Sequence, residues 1–85
     1  MQESEAKTHL TVYYRVGCHL CEEMAALLCE FQDELGFTFG LVDIDVDAEL
    51  KVRFNADVPV VVWRERILFQ HFFDEAILRQ ALQHG

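Results

Sequence analysis

Two of the three cysteines, Cys18 and Cys21, are separated by only two residues. A Cys-x-x-Cys pair of this kind either cycles between dithiol and disulfide or supplies two ligands to a metal. The redox reaction needs a thiolate, and a helix N-terminus stabilises one by lowering a cysteine pKa from about 8.5 into the range of roughly 3.5–7.5. The spacing therefore predicts Cys18 as the nucleophile that attacks a disulfide and Cys21 as the cysteine that resolves the mixed disulfide.

A metal site is the first alternative for the pair. A structural zinc site needs four ligands, commonly supplied as two pairs. The chain has no second Cys-x-x-Cys, so the remaining donors are Cys29 and four scattered histidines. We therefore expect no metal site built by this chain alone.

Cys29 and His19 are the other residues near the pair. Cys29 lies eight residues beyond Cys21, or about 12 Å along a helix. A disulfide requires Cα atoms within about 7 Å, so we interpret Cys29 as a bystander thiol. Two interpretations of His19 stay open: an imidazolium that stabilises the Cys18 thiolate, or a solvent-exposed residue of the first helical turn.

The elements that must position the pair follow from apolar periodicity and from breakers. Gly17 ends the first strand, and Gly36 is expected to end the long helix that opens at Cys18. The predicted elements are a strand over 9–14, a helix over 18–35, a strand over 37–45, a helix over 48–55 capped by Asp47, strands over 58–63 and 67–70 with a turn over 64–66, and a helix from Asp74 to about 84. Apolar side chains expected in the core are Leu20, Met24, Leu27, Phe31 and Leu35 on the long helix, then Phe69, Phe72 and Phe73, and Ile77, Leu78 and Leu82.

The order of these elements predicts an α/β fold, β-α-β-α-β-β-α. A helical crossover between the first two strands requires them to be parallel, and the short turn makes the last two an antiparallel hairpin. We therefore expect a four-stranded mixed sheet with helices on both faces. Residues 1–8 are expected to form a flexible N-terminal tail, and residues 9–85 a single domain.

Composition limits the partners and the location. The formal net charge is −8 at pH 7, which disfavours nucleic acid and anionic membrane surfaces. No apolar run approaches the roughly 18 residues of a membrane-spanning helix, and the polar first residues lack a signal-peptide pattern. We expect a cytoplasmic monomer.

The chain resembles the glutaredoxins of the thioredoxin superfamily over nearly its whole length. The likeness rests on the strand HLTVYY, the loop RVG, the motif Cys18-His19-Leu20-Cys21, the stretch VDIDVD, the Val58-Pro59 step and the closing hairpin and helix. It implies a cis Pro59 beside the sulfurs, with Val58 offering its backbone N–H and C=O to an extended substrate. It also implies that Arg15, three residues before Cys18, meets a carboxylate of glutathione, the candidate co-substrate; no bound cofactor is expected.

Two departures from the glutaredoxin pattern bear on glutathione. His19 and Leu20 stand where Pro and Tyr are usual, and His71-Phe72 stands where Gly-Gly precedes the last helix. Bulky residues in place of Gly-Gly narrow the groove in which glutathione would bind. Whether this protein uses glutathione therefore stays an open question at this point.

Three functions remain for comparison with the structure. The first is a glutaredoxin-like thiol–disulfide oxidoreductase that acts on protein or low-molecular-weight disulfides through Cys18 and Cys21. The second is a non-catalytic thioredoxin-fold binding module. The third is metal or iron–sulfur binding through Cys18, with a second molecule supplying further ligands.

Overall fold

The computed structural model describes residues 8–84 and has the predicted order of elements. Of the predicted tail, residues 1–7 lie outside the described residues, and Thr8 already belongs to the first strand. The elements are β1 (Thr8–Tyr14), α1 (His19–Leu35), β2 (Phe37–Asp43), a single 3-10 turn (Ile44–Val46), α2 (Ala48–Phe54), β3 (Val60–Trp63), β4 (Arg66–Gln70) and α3 (Glu75–His84).

The four strands form one mixed sheet in the order β2-β1-β3-β4. β1 pairs with β2 in parallel and with β3 antiparallel, and β3 pairs with β4 antiparallel. The crossover from β1 to β2 is α1, as parallel neighbours require. The predicted sheet and its connections are confirmed.

Alternation along the strands divides the core between the two faces of the sheet. On one face, Leu10 and Val12 of β1 pack with residues of α1 and α3, and all of them are buried. On the other face, Val60 packs with Phe54 of α2 and with Ile44 of the 3-10 turn. Helices therefore cover both faces, as predicted for this fold class.

The long helix buries a slightly different stripe from the one predicted. Its buried side chains are Cys21, Met24 and Leu28, whereas Leu20 and Leu27 are only half-buried. The helix contacts the sheet along the first set, and Leu20 and Leu27 stand at the edge of that contact. Gly36 ends α1 with φ 74° and donates its N–H to the Gln32 carbonyl at 2.8 Å, as predicted for a glycine C-terminus.

Two residues expected in the core are exposed. Phe72 is 68% exposed and Ile77 is 39% exposed. Phe69 is buried and Phe73 is half-buried, stacking on Phe31 with ring centroids 5.2 Å apart. Phe72 lies next to Phe73 in a turn rather than in a strand or helix, so the two neighbouring rings take opposite environments. On α3 the buried position is Leu78, and Ile77 precedes it on the helix surface.

β1 and β4 each begin one residue earlier than predicted, at Thr8 and Arg66. Two further strand boundaries differ from prediction by two residues, each for a local reason. β2 ends at Asp43, two residues early, because the Asp43 carboxylate accepts the N–H of Asp45 at 2.9 Å and begins the 3-10 turn. β3 begins at Val60 and not at residue 58, because Pro59 has no N–H to donate to a sheet ladder. The predicted cap of α2 is confirmed: Asp47 accepts from the N–H groups of Glu49 and Leu50.

The turn between β3 and β4 consists of Arg64 and Glu65. Both have positive φ, 53° and 66°, as a two-residue hairpin requires. Neither is a glycine, so the tight connection holds two L-residues in the left-handed region that they rarely adopt. Arg64 also places its guanidinium 4.5 Å above the ring of the buried Trp63.

We expect Leu28→Ala to lower the free energy of unfolding by about 2–5 kcal/mol, because it opens a cavity between α1 and the sheet. Val52→Ala is the matched control, since Val52 is 85% exposed on α2 and its change should stay within about 0.5 kcal/mol. Urea unfolding followed by circular dichroism measures both. Equal losses for the two variants would contradict the assigned packing of α1.

Candidate active site

Strand pairing brings four loops to one end of the sheet. Tyr13 pairs with Val60, which pairs with Gln70, and Tyr14 pairs with Asp43. Four segments therefore meet at the same end of the sheet: those that follow β1, β2 and β4, and the one that precedes β3. They are residues 15–18, 44–47, 55–59 and 71–74. We call this end of the sheet the cysteine end.

Cys18 occupies the N-cap of α1. Gly17 has φ 82°, which turns the chain after β1 into the helix. Cys18 has extended backbone angles, φ −97° and ψ 112°, and its Sγ accepts the backbone N–H of Cys21 at 3.1 Å. A sulfur therefore holds the place that Ser, Thr, Asp or Asn oxygens usually take at a helix N-terminus.

The two sulfurs of the motif are joined as a disulfide, with Cα atoms 5.2 Å apart. Cys18 is half-buried, whereas Cys21 is only 4% exposed and lies under the first turn of α1. An external molecule therefore reaches Cys18 first. The attacking role of Cys18 and the resolving role of Cys21 remain predictions.

His19 and Cys29 both lie on the outside of α1. His19 is exposed in the first turn, and Cys29 is an exposed free cysteine further along the helix. Cys29 is thus unpaired, as the spacing along the helix predicts. Both interpretations of His19 remain predictions.

Arg15 is held by partners within the chain. Its Nε and Nη2 donate to the two carboxylate oxygens of Asp45 at 3.0 Å each, and Nη2 also donates to the Asn55 side-chain oxygen at 2.7 Å. These bonds tie the loop after β1 to the 3-10 turn and to the end of α2. Neither Asp45 nor Asn55 was recognised from sequence as a partner of Arg15.

The ion pair between Arg15 and Asp45 shifts the pKa of each residue in the direction that favours its charged form. The hydrogen bond from Arg15 lowers the pKa of Asp45 below its ordinary 3.8, and burial opposes this only in part. The same hydrogen bond raises the pKa of Arg15. The side chains are 31% and 38% exposed, so solvent screens the pair and its contribution to stability is modest.

Val58 and Pro59 lie at the cysteine end, directly before β3. The peptide bond between them is cis, and Pro59 is fully buried. Val58 is half-buried and packs against the core beneath α2. The role of Val58 in holding an extended substrate remains a prediction from the resemblance.

Metal donors are dispersed across the part of the chain that the structure describes. Within residues 8–84, no group of three or more His, Cys, Asp or Glu side chains is arranged to hold a metal ion. The three aspartates of the VDIDVD stretch have other partners: Asp43 caps the 3-10 turn, Asp47 caps α2, and Asp45 binds Arg15.

Comparison with known proteins identifies the family. The model of the glutaredoxin-like domain family (DUF836) matches residues 9–83, nearly the whole chain. The chain belongs to the glutaredoxin-like domain family. The solution structure of protein Ne2328 from Nitrosomonas europaea superposes with a TM-score of 0.81 at 34% identity, covering 95% of this chain and 98% of that one.

More distant matches establish the fold of this glutaredoxin-like domain. Thioredoxin-2 of a malaria parasite superposes with a TM-score of 0.65 over 100% of this chain and 89% of its own. At 15% identity this likeness shows the thioredoxin fold alone. Among curated relatives, Rv0508 of Mycobacterium tuberculosis is 38% identical over 53 residues, covering 56% of this chain and 55% of the relative. The chain thus spans about half the length of the curated relatives that it matches.

His71 is a further residue at the cysteine end whose contacts were not predicted from the sequence. It stands where glutaredoxins have the first Gly of a pair, and it has the positive φ of 70° that a glycine adopts easily. Its N–H donates to the Pro59 carbonyl at 2.8 Å, and its Nε2 lies 3.1 Å from the Ala56 carbonyl oxygen. The sequence signal was the departure from Gly-Gly, which predicted a bulky step but not the backbone angle or these bonds.

No helix within residues 8–84 is long and apolar enough to cross a membrane.

We expect Asp45→Asn to lower the thermal midpoint at pH 7, and to lower it progressively less as the pH falls below 3.8. The folded pKa of Asp45 is lowered, so its stabilising contribution is complete above the ordinary value of 3.8. That contribution disappears as the pH falls through the lowered folded value. Thermal melts of both proteins across this range measure the effect.

Asp33→Asn serves as the control, because Asp33 is an exposed carboxylate on α1, away from the cysteine end. A difference between wild type and Asp45→Asn that does not shrink as the pH falls below 3.8 would contradict the ion pair.

Proposed function

We propose that this glutaredoxin-like domain is a dithiol–disulfide oxidoreductase that reduces disulfides of proteins or small molecules. One observation carries the proposal: the Cys18 sulfur caps a 17-residue helix, accepts the Cys21 N–H at 3.1 Å and remains half-exposed. The family to which the chain belongs supports it. The chemistry itself rests on the geometry of the site.

The helix N-terminus favours the reduced, attacking form of Cys18. A thiolate at the N-cap accepts the N–H of Cys21 and lies at the positive end of the α1 dipole. A hydrogen bond to the charged form favours that form over the neutral thiol. Cys18 is therefore suited to act both as a nucleophile and as a leaving group near neutral pH.

Reduction proceeds through one mixed disulfide. The Cys18 thiolate attacks one sulfur of the substrate R–S–S–R′, the S–S bond of the substrate breaks, and R′S⁻ leaves and takes up a proton. Cys21 then loses its proton and attacks the Cys18 sulfur, which breaks the mixed disulfide and releases RS⁻, later protonated. The substrate gains two electrons, and the domain loses two as it forms the Cys18–Cys21 disulfide present in this structure.

The dithiol is regenerated by two molecules of a low-molecular-weight thiol, which become a disulfide. Glutathione is the candidate for this role. Arg15, the predicted contact for its carboxylate, is engaged by Asp45 and Asn55, so binding there requires exchange of partners. Val58 and Pro59 are the proposed backbone platform for the incoming thiol, and His19 lies on the open side of Cys18.

The proposal includes a cytoplasmic monomer. A reducing compartment keeps cysteine pairs available for turnover and makes structural disulfides rare. The cysteine end is built from loops of one chain, so the proposed reaction needs no residue from a second copy.

The test uses cysteine variants with a disulfide-linked peptide as substrate. We expect Cys18→Ser to reduce turnover to the uncatalysed background, and Cys21→Ser to accumulate a mixed disulfide of defined mass on Cys18. Cys29→Ser is the matched control and should retain wild-type turnover, because Cys29 is exposed on the far part of α1. Mass spectrometry after rapid acid quench identifies the trapped species.

Alkylation against pH gives the second measurement. Cys18 should react rapidly well below pH 8.5, the midpoint of an ordinary thiol, whereas Cys29 supplies an internal reference. Alkylation of Cys18 like an ordinary thiol, together with no turnover of any disulfide, would overturn the enzyme proposal in favour of a binding module.

A further inference from the structure

An apolar groove lies beside the cysteine pair, between α1 and the loop from β4 to α3. Its volume is about 240 Å³, below the range of roughly 300–1,000 Å³ typical of sites that enclose a whole small molecule. It therefore fits one or two side chains. Its lining comprises Leu20, Glu23, Met24 and Leu27 from α1 and His71, Phe72 and Phe73 from the loop.

The groove begins at the first turn of α1, the turn that carries the cysteine pair. Leu20 stands between the two cysteines in the first turn of α1, and its side chain lines the groove. A molecule whose disulfide reaches Cys18 can thus place a neighbouring side chain against Leu20, Leu27 and Phe72. This continuity links what occupies the groove to the proposed reaction.

Exposed apolar side chains extend this surface around the cysteine end. Val16 is 73% exposed, Val46 79% and Phe72 68%, and each comes from a different loop at that edge. Clustered exposed apolar residues with polar surroundings mark contact surfaces for other proteins.

His71 fixes the wall of the groove. Its backbone holds a positive φ, and the loop is bound to Pro59 by a 2.8 Å hydrogen bond and to Ala56 through the imidazole. These bonds set the position from which Phe72 projects into solvent. The loop that forms this side of the groove is therefore held in place by hydrogen bonds to other parts of the fold.

The charges at the groove disfavour an acidic ligand. Glu23 lines it, and the exposed Glu22 follows Cys21 directly. No lysine or arginine is among the lining residues that the structure describes, and Arg15 is paired with Asp45. Glutathione carries two carboxylates, whereas a polypeptide segment with apolar and basic residues matches both the lining and its charge.

We propose that the disulfide substrate is a polypeptide segment with a bulky apolar side chain next to its cysteine, and that this side chain occupies the groove in preference to glutathione. The inference rests on the proposed function, since it names the substrate class of that reaction. Phe72 and Leu27 are the specificity-determining residues, and the apolar surface of the loops contacts the flanking chain.

The experiment compares kcat/KM for four probes that differ only near the disulfide. Three are short peptides whose cysteine is joined to a chromogenic thiol, with Leu, Ser, or Leu plus a nearby Glu beside the cysteine. The fourth is glutathione joined to the same thiol. Attack on the peptide or glutathione sulfur releases the chromophore in each case.

We expect the Leu peptide to exceed the Ser peptide by about tenfold, the range of one apolar side chain in a pocket. The Glu-containing peptide and the glutathione probe should both fall below the Leu peptide. Phe72→Ser should reduce the Leu-to-Ser ratio to about twofold or less. Val52→Ser, which also replaces an exposed apolar residue but on α2, should leave that ratio unchanged.

The outcomes separate the two proposals. Chromophore release that is equal for all peptides, fastest for glutathione, or unaltered in ratio by Phe72→Ser overturns the substrate inference and leaves the enzyme intact. Release from every probe at the rate of Cys18→Ser overturns the proposed function, and the substrate inference with it. Circular dichroism of Phe72→Ser verifies that the variant is folded.

Discussion

β1 makes backbone hydrogen bonds to a strand on each side, and the rest of the site depends on this pairing. Its seven residues pair in parallel with β2 over their whole length and antiparallel with β3 through Val12 and its neighbours. The end of β1 therefore determines where every adjoining loop lies. Cys18 follows that end by four residues, so its position relative to Pro59 and His71 is set by one of the two inner strands of the sheet.

The same arrangement explains how an acidic chain could support the proposed thiolate at Cys18. Nearby carboxylates disfavour a thiolate, but the sulfur is stabilised by backbone groups and the helix dipole, which need no cationic side chain. Arg15, the cation closest in sequence to Cys18, instead binds Asp45 and Asn55 and so joins the loop after β1 to two neighbouring segments. Charge near the site thus serves loop order, while the peptide groups of α1 serve the chemistry.

The fold and the cysteine pair were predictable because their signals are local. Periodicity gave the strands and helices, Gly36 and Asp47 marked helix boundaries, and the Cys-x-x-Cys spacing needs only one helical turn. Long-range features were not predictable in this way. The Arg15–Asp45 pair joins residues 30 apart, and the His71 contacts join two loops, so neither follows from a pattern along the chain. Phe72 was placed in the core because three nearby phenylalanines suggest burial; its exposure depends on the turn at His71.

The two ends of the sheet carry different demands. The cysteine end must hold its loops in fixed register, and its apolar side chains remain in solvent although burial would stabilise the protein. At the opposite end, the Arg64–Glu65 turn holds two L-residues at positive φ, an arrangement usually filled by Asn-Gly. Nothing in the proposed chemistry uses that turn, which lies a full strand length away from the sulfurs. Substitutions at this hairpin turn that suit its positive φ angles are therefore expected to raise the thermal stability of this small domain. A tag, a label or an inserted epitope can also be attached at the turn without altering the surface around the cysteine pair.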